Sequence, residues 1–211
     1  MKALFRTVLF TLPVLCASSL SAQWISFGLR GTGSIPTGSF AETNATASNA
    51  VLIDGAKNGF GFGADASVGV GMLGVYAGFD HVKFDCNTAT CKTDGTYTLQ
   101  GVTVGVKISP LTTRFRPFVK GGVTFNDLKG GYGGSSSNGL STDKTPGYEV
   151  GAGVDLTMLG LVSVTPQVRY IGQNLKAKIP DVIAPTPATE QGVKYFSFDL
   201  GLSVHTPFGM R

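Results

Sequence analysis

Hydrophobic positions recur along this chain with a period of two. Between Phe60 and Met72 the run Phe60, Phe62, Ala64, Ala66, Val68, Val70, Met72 alternates without a break with Gly61, Gly63, Asp65, Ser67, Gly69 and Gly71. The C-terminal segment repeats the pattern, with Phe196, Phe198, Leu200, Leu202, Val204, Thr206 and Phe208 set against Tyr195, Ser197, Asp199, Gly201, Ser203 and His205. Alternation of this kind puts successive side chains on opposite faces of an extended strand. Six further segments follow it, with apolar phases Ile25, Phe27, Leu29, Ile35; Val75, Ala77, Phe79; Val102, Val104, Val106, Ile108; Val119, Val123, Phe125; Tyr148, Val150, Ala152, Val154, Leu156, Met158; and Val162, Val164, Val168, Tyr170. The pattern predicts eight strands.

The links between them alternate in length. Short links fall around Leu73-Gly74, Ser109 to Arg114 and Leu159-Gly160. Long ones run from Ser39 to Lys57, Cys86 to Thr93, Lys129 to Lys144 and Ala177 to Gln191, and are rich in Gly, Ser, Asn, Thr and Pro. Tight turns on one side and long loops on the other describe an up-and-down meander, the arrangement of a transmembrane β-barrel. In lipid every backbone polar group must be paired, so such a sheet has to close on itself. The expected fold is therefore all-β: an eight-stranded antiparallel up-and-down transmembrane β-barrel. A secreted soluble barrel of the lipocalin kind, with its apolar face inward, is the alternative.

Composition agrees with strands and excludes other classes. Thirty glycines in 211 residues, without a triplet repeat, disfavour helices and rule out collagen. After the first two dozen residues no run of about 18 apolar residues exists, so no spanning helix is expected. The N-terminal stretch has Lys2 and Arg6, an apolar run from Val8 to Leu15, then small residues, and reads as a signal peptide over residues 1–22. Residues 23–211 are then the barrel domain. Removing Lys2 and Arg6 leaves 15 basic against 13 acidic residues, a net of +2 that implies no nucleic-acid partner. Of three cysteines, Cys86 and Cys91 remain and are expected to close a disulfide in the second long loop. With only His81 and His205 besides, neither a metal site nor a cofactor is expected.

In a membrane barrel the apolar phase faces lipid and the small or polar phase faces the lumen. Aromatic residues assigned to the lipid face fall toward strand ends: Phe60, Phe125, Tyr148, Tyr170 and Phe196 on the long-loop side, Trp24, Phe115 and Phe208 on the short-turn side. They form two interfacial girdles.

On these alternating strands and sorted loops the chain resembles the small eight-stranded bacterial outer-membrane barrels of the OmpA/OmpX-type and opacity-type, porin-like family. The resemblance covers residues 23 to 208 and rests on pattern, so it speaks to fold more than to function. It implies an outer-membrane location reached through the periplasm, contact with outer-membrane lipid, a monomer, and long loops available to an extracellular ligand. It also implies that the barrel assembly machinery reads the last strand, Phe196 to Phe208; Gly209, Met210 and Arg211 after the final Phe depart from the family pattern. A peptidoglycan-binding domain after the barrel, present in some relatives, is not expected.

Gly69-Val70-Gly71-Met72-Leu73-Gly74 matches a dinucleotide fingerprint as a string, but it turns from strand to strand and opens no helix. Asp199, Ser203 and His205 share the inward face of the last strand and are the residue types of a hydrolase triad, which would make a lipid A-modifying enzyme. The leading reading instead takes the inward charges as a lumen ion network: Arg30, Lys107, Arg116, Lys120 and Arg169 against Asp65, Asp80, Glu149, Asp155 and Asp199. Eight strands leave an interior just wide enough for side chains, so these groups must pair. Counting from the short turns places Asp65, Asp80, Lys120 and Arg169 in a central layer with Arg30 and Asp199, and Lys107, Arg116 and Asp155 lower. The function expected is a non-enzymatic barrel with a plugged lumen, the alternative being a narrow channel for small or apolar solutes. Pro117 and Pro166 interrupt two strand patterns, each deleting a ladder hydrogen bond.

Overall fold

A computed structural model describes residues 23–42, 55–86, 96–110, 115–130, 140–178 and 190–208. Residues 1–22, where a signal peptide is expected, and Cys91 lie outside them. The elements are β1 (Gln23–Thr37), β2 (Ala56–Val70), β3 (Leu73–Cys86), β4 (Thr96–Ile108), β5 (Phe115–Gly130), β6 (Leu140–Thr142), β7 (Thr145–Leu159), β8 (Val162–Lys178) and β9 (Glu190–Phe208). All pairings are antiparallel between successive places in the ring, and β1 pairs with β9 to close it. Strands β6 and β7 both lie between β5 and β8, so they fill one place and the barrel has eight. Between them one extra residue bulges the wall, since Asn126 faces Thr145 while Lys129 faces Ser141. The Thr142 hydroxyl patches the gap, accepting from the Leu128 N–H at 2.9 Å.

The pairing register fixes the shape of the tube. From Gln23 the partners run Val70, Leu73, Ile108, Val119, Ala152, Val168 and Phe198, and return to β1 at Gly33, displaced by 33 − 23 = 10 residues. At about 3.3 Å per residue and about 4.8 Å between strands, this displacement tilts the strands by roughly 40° and sets a backbone radius of about 8 Å. The β2–β3 turn is Gly71-Met72 and the β7–β8 turn Gly160-Leu161, each with its glycine at positive φ, 59° and 61°. That is the two-residue hairpin with glycine first, whose twist suits the flanking strands. The first turn thus sits two residues before the position read from the sequence.

The outer face carries Phe27, Leu29, Phe62, Val68, Val75, Phe79, Val104, Val150, Leu200 and Leu202, all exposed. On β5 this face runs from Phe115 to Phe125, ten residues, or about 25 Å at that tilt, the height of a membrane barrel's apolar band. Above Phe60, Phe125, Tyr148, Tyr170 and Phe196 the outward residues turn polar: Lys83, Asp85, Lys129, Asn174 and Lys194 are exposed. The inner face changes in the opposite sense at the same height. Val82, Phe84, Tyr97, Leu99, Leu128, Ile171, Leu175, Val193 and Tyr195 point inward and pack around Phe40, which the short 3-10 turn Gly38–Phe40 brings over from the end of β1. Phe40 stacks edge-on against Phe84 at 5.1 Å, and Phe84 against Tyr195 at 5.4 Å. The polar-lumen rule read from the sequence therefore holds only within the band.

Both prolines lie in the wall on either side of one residue. Pro117 faces Val154 from β5, and Pro166 falls where the β7–β8 ladder skips from Gly153 to Leu156. Missing N–H groups explain the interruption.

Candidate functional site

At mid-depth the inward positions bring charged residues from seven of the eight places in the ring into one layer. Arg169 on β8 is at its centre, with 2 % of its side chain exposed. Its Nη1 donates to Asp80 Oδ2 and to Glu149 Oε2, both at 2.9 Å; its Nη2 donates to Asp80 Oδ1 at 3.0 Å and to Ser197 Oγ at 3.3 Å; and its Nε donates to Asp199 Oδ2. Arg30 on β1 bonds Asp65 through Nη1 and Asp80 through Nη2, the latter at 2.9 Å. Lys120 on β5 reaches Glu149 at 3.3 Å, and Glu149 also accepts from the Tyr76 hydroxyl at 3.0 Å. Gln167 donates to Asp199 at 3.0 Å. Each carboxylate thus meets a cation, the condition for keeping such charges out of water.

Glycines make the room. A Cβ on Gly63 would stand 2.8 Å from the Arg30 guanidinium, one on Gly151 3.0 Å from Arg169 Cγ, and Cβ atoms on Gly105 and Gly122 2.7 and 2.8 Å from the Tyr76 ring and hydroxyl. Small residues on the inward phase are thus the sockets for the large ones.

Below this layer lies a second polar tier. Lys107 pairs with Asp155 at 2.9 Å and sits 3.9 Å from the Phe118 ring centre. Thr165 donates to Asp155 at 2.8 Å and lies 3.2 Å from Ser203 Oγ, which is 3.0 Å from His205 Nε2. A cavity of about 30 Å³ lies between the tiers, lined in part by Ser67, Lys107, Lys120, Ser203 and His205. It has room for one or two waters. Arg116 faces Asp155 across the β5–β7 ladder but makes no ion pair among the described residues.

The structure places the ten inward charges as follows. Arg30, Asp65, Asp80, Lys120, Glu149, Arg169 and Asp199 come together in one network, Lys107 and Asp155 form a separate lower pair, and Arg116 stands apart. The triad does not assemble. Asp199 is held by Arg169, Gln167 and Ser197, and His205 Nδ1 has no partner. Among the aromatics, Phe60, Phe115, Phe125, Tyr148 and Phe196 are exposed on the outer face, and Tyr148, Tyr170 and Phe196 stack in a row with centroids 6.1 and 4.9 Å apart. Phe208 ends β9, its side chain outside the described residues. Trp24 is a correction: it is not an interfacial aromatic but points into the lumen, its indole lying over Gly69 and Gly74 and its Nε1 donating to the Gly71 carbonyl at 3.2 Å. Ile25, Phe27 and Leu29 face lipid, and Trp24 is one residue out of their phase. Tyr76, Gln167 and Ser197, also part of the network, went unread because an uncharged polar residue on the inward phase carries no charge arithmetic to flag it. Cys86 ends β3, while its expected partner Cys91 is not among the described residues.

Comparison with known proteins adds the following. The sequence matches the family model described as outer membrane protein beta-barrel domain over residues 7–205. Among solved structures, the chain is similar to the neisserial surface protein NspA, with 15 % identity and a TM-score of 0.55, covering 86 % of this chain and 96 % of that one. It is similar to the outer membrane protein OprG from Pseudomonas aeruginosa at 14 % identity and a TM-score of 0.54, over 88 % and 96 % of the two chains. The outer membrane protein AlkL gives 12 % identity and a TM-score of 0.53 over 90 % and 93 %. No curated protein sequence matches the chain.

Proposed function

Because this chain belongs to the outer membrane protein β-barrel domain family and resides in the bacterial outer membrane, we propose that it works as a closed, non-enzymatic surface barrel whose lumen is plugged by ion pairs. One observation carries this reading. Arg169 on β8 and Asp80 on β3 lie four places apart in a ring of eight, on opposite walls, and yet are joined by two hydrogen bonds of 2.9 and 3.0 Å. A guanidinium spanning the lumen, in a barrel whose interior is just wide enough for side chains, supports a closed path at that level. The apolar packing around Phe40 adds a second seal on the loop side. Against an enzyme stand the engaged carboxylate of Asp199 and the cavity beside Ser203, which is far too small for an acyl ester.

The test is the conductance of the full chain refolded in a planar bilayer. The wild type should show no steady current, and Arg169→Met should open a measurable one. A large steady conductance in the wild type, indifferent to Arg169→Met, would replace this reading with a channel. Hydrolysis of lipid A acyl esters that is lost in Ser203→Ala would replace it with an enzyme.

A further inference from the structure

The lipid-facing wall is not equally smooth all round. Phe27, Leu29, Phe60, Leu200 and Leu202, on β9, β1 and β2, stand 61–74 % exposed, whereas no valine on the same face of β4, β5, β7 or β8 exceeds 58 %. Between the tall side chains β1 carries glycine. Gly31 faces Phe62 and Leu200 on its two neighbours, and Gly33 faces Phe60 and Phe198. The result is a groove with a backbone floor and aromatic or leucine walls, running down the lipid side from the aromatic row. A second depression, floored by Ala64, Ala66 and Ala77, joins it at Gly31.

No described part of the protein uses this space. Cβ atoms on Gly63 or Gly151 would strike the ion network, but one on Gly31 would have nothing within 4 Å, and one on Gly33 only ordinary contacts at 3.9 Å. Neither glycine has a positive φ. Glycine inside a strand weakens it and marks a place where another molecule comes close. Gly121, on the same face of β5, has only Val106 and Val150 beside it, so its gap is shallow.

Lysines crown the same sector. Lys83 faces Phe60 across the ladder, Lys57 lies three residues beyond Phe60 toward the loops, and Lys194 two beyond Phe196. All three are exposed, and none forms an ion pair among the described residues. The exposed carboxylates of the sector stand farther out, Asp85 two residues past Lys83 and Glu42 past the end of β1. On the far wall Lys129 already has Asp127, at 3.9 Å.

We infer that the β9–β1–β2–β3 sector of the outer wall holds one molecule of a phosphorylated lipid with several acyl chains, lipid A, from the leaflet on the long-loop side. Its chains lie in the two joined depressions, and its phosphates meet Lys57, Lys83 and Lys194 at the headgroup level. Two depressions call for more than one chain, and three uncompensated lysines for more than one negative charge. A second copy of this protein is the wrong occupant, because a two-fold contact here would set the lysines of both copies side by side. The site rests on the outer-membrane location and not on a closed lumen, so the conductance of the wild type leaves it untouched.

The test mixes the folded full chain in detergent with hexa-acylated lipid A, phosphatidylglycerol or phosphatidylcholine, and native mass spectrometry counts the lipid retained. One lipid A should stay on each barrel, in preference to the other two. Its affinity should fall about tenfold or more when Lys57, Lys83 and Lys194 are changed together to Gln, and about fivefold when Gly31→Leu and Gly33→Leu fill the groove. Gly121→Leu and Lys129→Gln, on β5, should leave it unchanged. Circular dichroism checks that each variant folds; should the double leucine variant fail, Gly31→Val alone carries the groove comparison. Retention of either phospholipid equal to that of lipid A, an equal loss in the β5 variants, no loss in the lysine or the groove variants, or dimers in place of lipid-bound monomers would overturn the site.

Discussion

The lumen has two halves that solve one packing problem in opposite ways. At membrane depth the wall is apolar outside and charged inside; on the loop side it is polar outside and filled with Phe40, Phe84, Leu99, Leu128, Leu175 and Val193 inside. Seven of the eight walls run unbroken through both, and the eighth passes from β7 to β6 across a bulge. What changes is the solvent. Lipid rewards apolar side chains on the outer wall and leaves the interior to polar groups that satisfy each other. Water around the upper part reverses the assignment, and that part is built like a small soluble barrel with a hydrophobic core. The inversion falls at the row Tyr148, Tyr170 and Phe196, so those rings mark where one solvent gives way to the other.

Substitutions can break this contrast in order of size. The largest effect is expected at Arg169→Met, which leaves Asp80, Glu149 and Asp199 facing one another without their shared cation. It should lose about 3–5 kcal/mol, read as a lower urea midpoint of the refolded barrel. In the upper half the equivalent loss is of packing: Leu99→Ala should cost about 2–5 kcal/mol, with no dependence on salt in the same denaturation series. Equal salt sensitivity at the two sites would erase the distinction between the halves. On the outer wall, Val104→Arg at mid-depth should cost about 2–4 kcal/mol. Lys83→Ser, on the outer face of β3 above the aromatic row, should change stability by less than about 0.5 kcal/mol. If Lys83→Ser cost as much as Val104→Arg when both were measured by unfolding in lipid vesicles, the inversion would be misplaced.

The eight strands and the inward placing of Arg169, Asp80 and Asp199 were legible because both follow from one rule, the period of two, once the outward phase is known. Trp24 was misread because its apolarity was allowed to overrule its position: counting from Ile25 puts it inside. The loop-side core was missed for a related reason. A single phase was carried along each whole strand, whereas β8 and β9 switch phase at the neighbouring apolar pairs Tyr170-Ile171 and Tyr195-Phe196. At these two pairs the apolar positions pass from the outer to the inner face, and that step was visible. The closure of the top by Phe40 was not, since it depends on a turn at Gly38 with φ 61° that no periodicity encodes.

The link from Arg169 to Asp80 has a mechanical side. A thin-walled tube under the sideways pressure of a bilayer deforms most easily into an ellipse, one diameter shrinking as the perpendicular one grows. A spoke between opposite walls resists both changes, because its hydrogen bonds must be stretched or crushed. Severed by Asp80→Asn with Arg169→Met, the cross-section should breathe, and spin labels on the outer faces of β3 and β8 would report it as a broadened distance distribution. With the spoke intact the same labels should give one narrow distribution in membranes of different thickness.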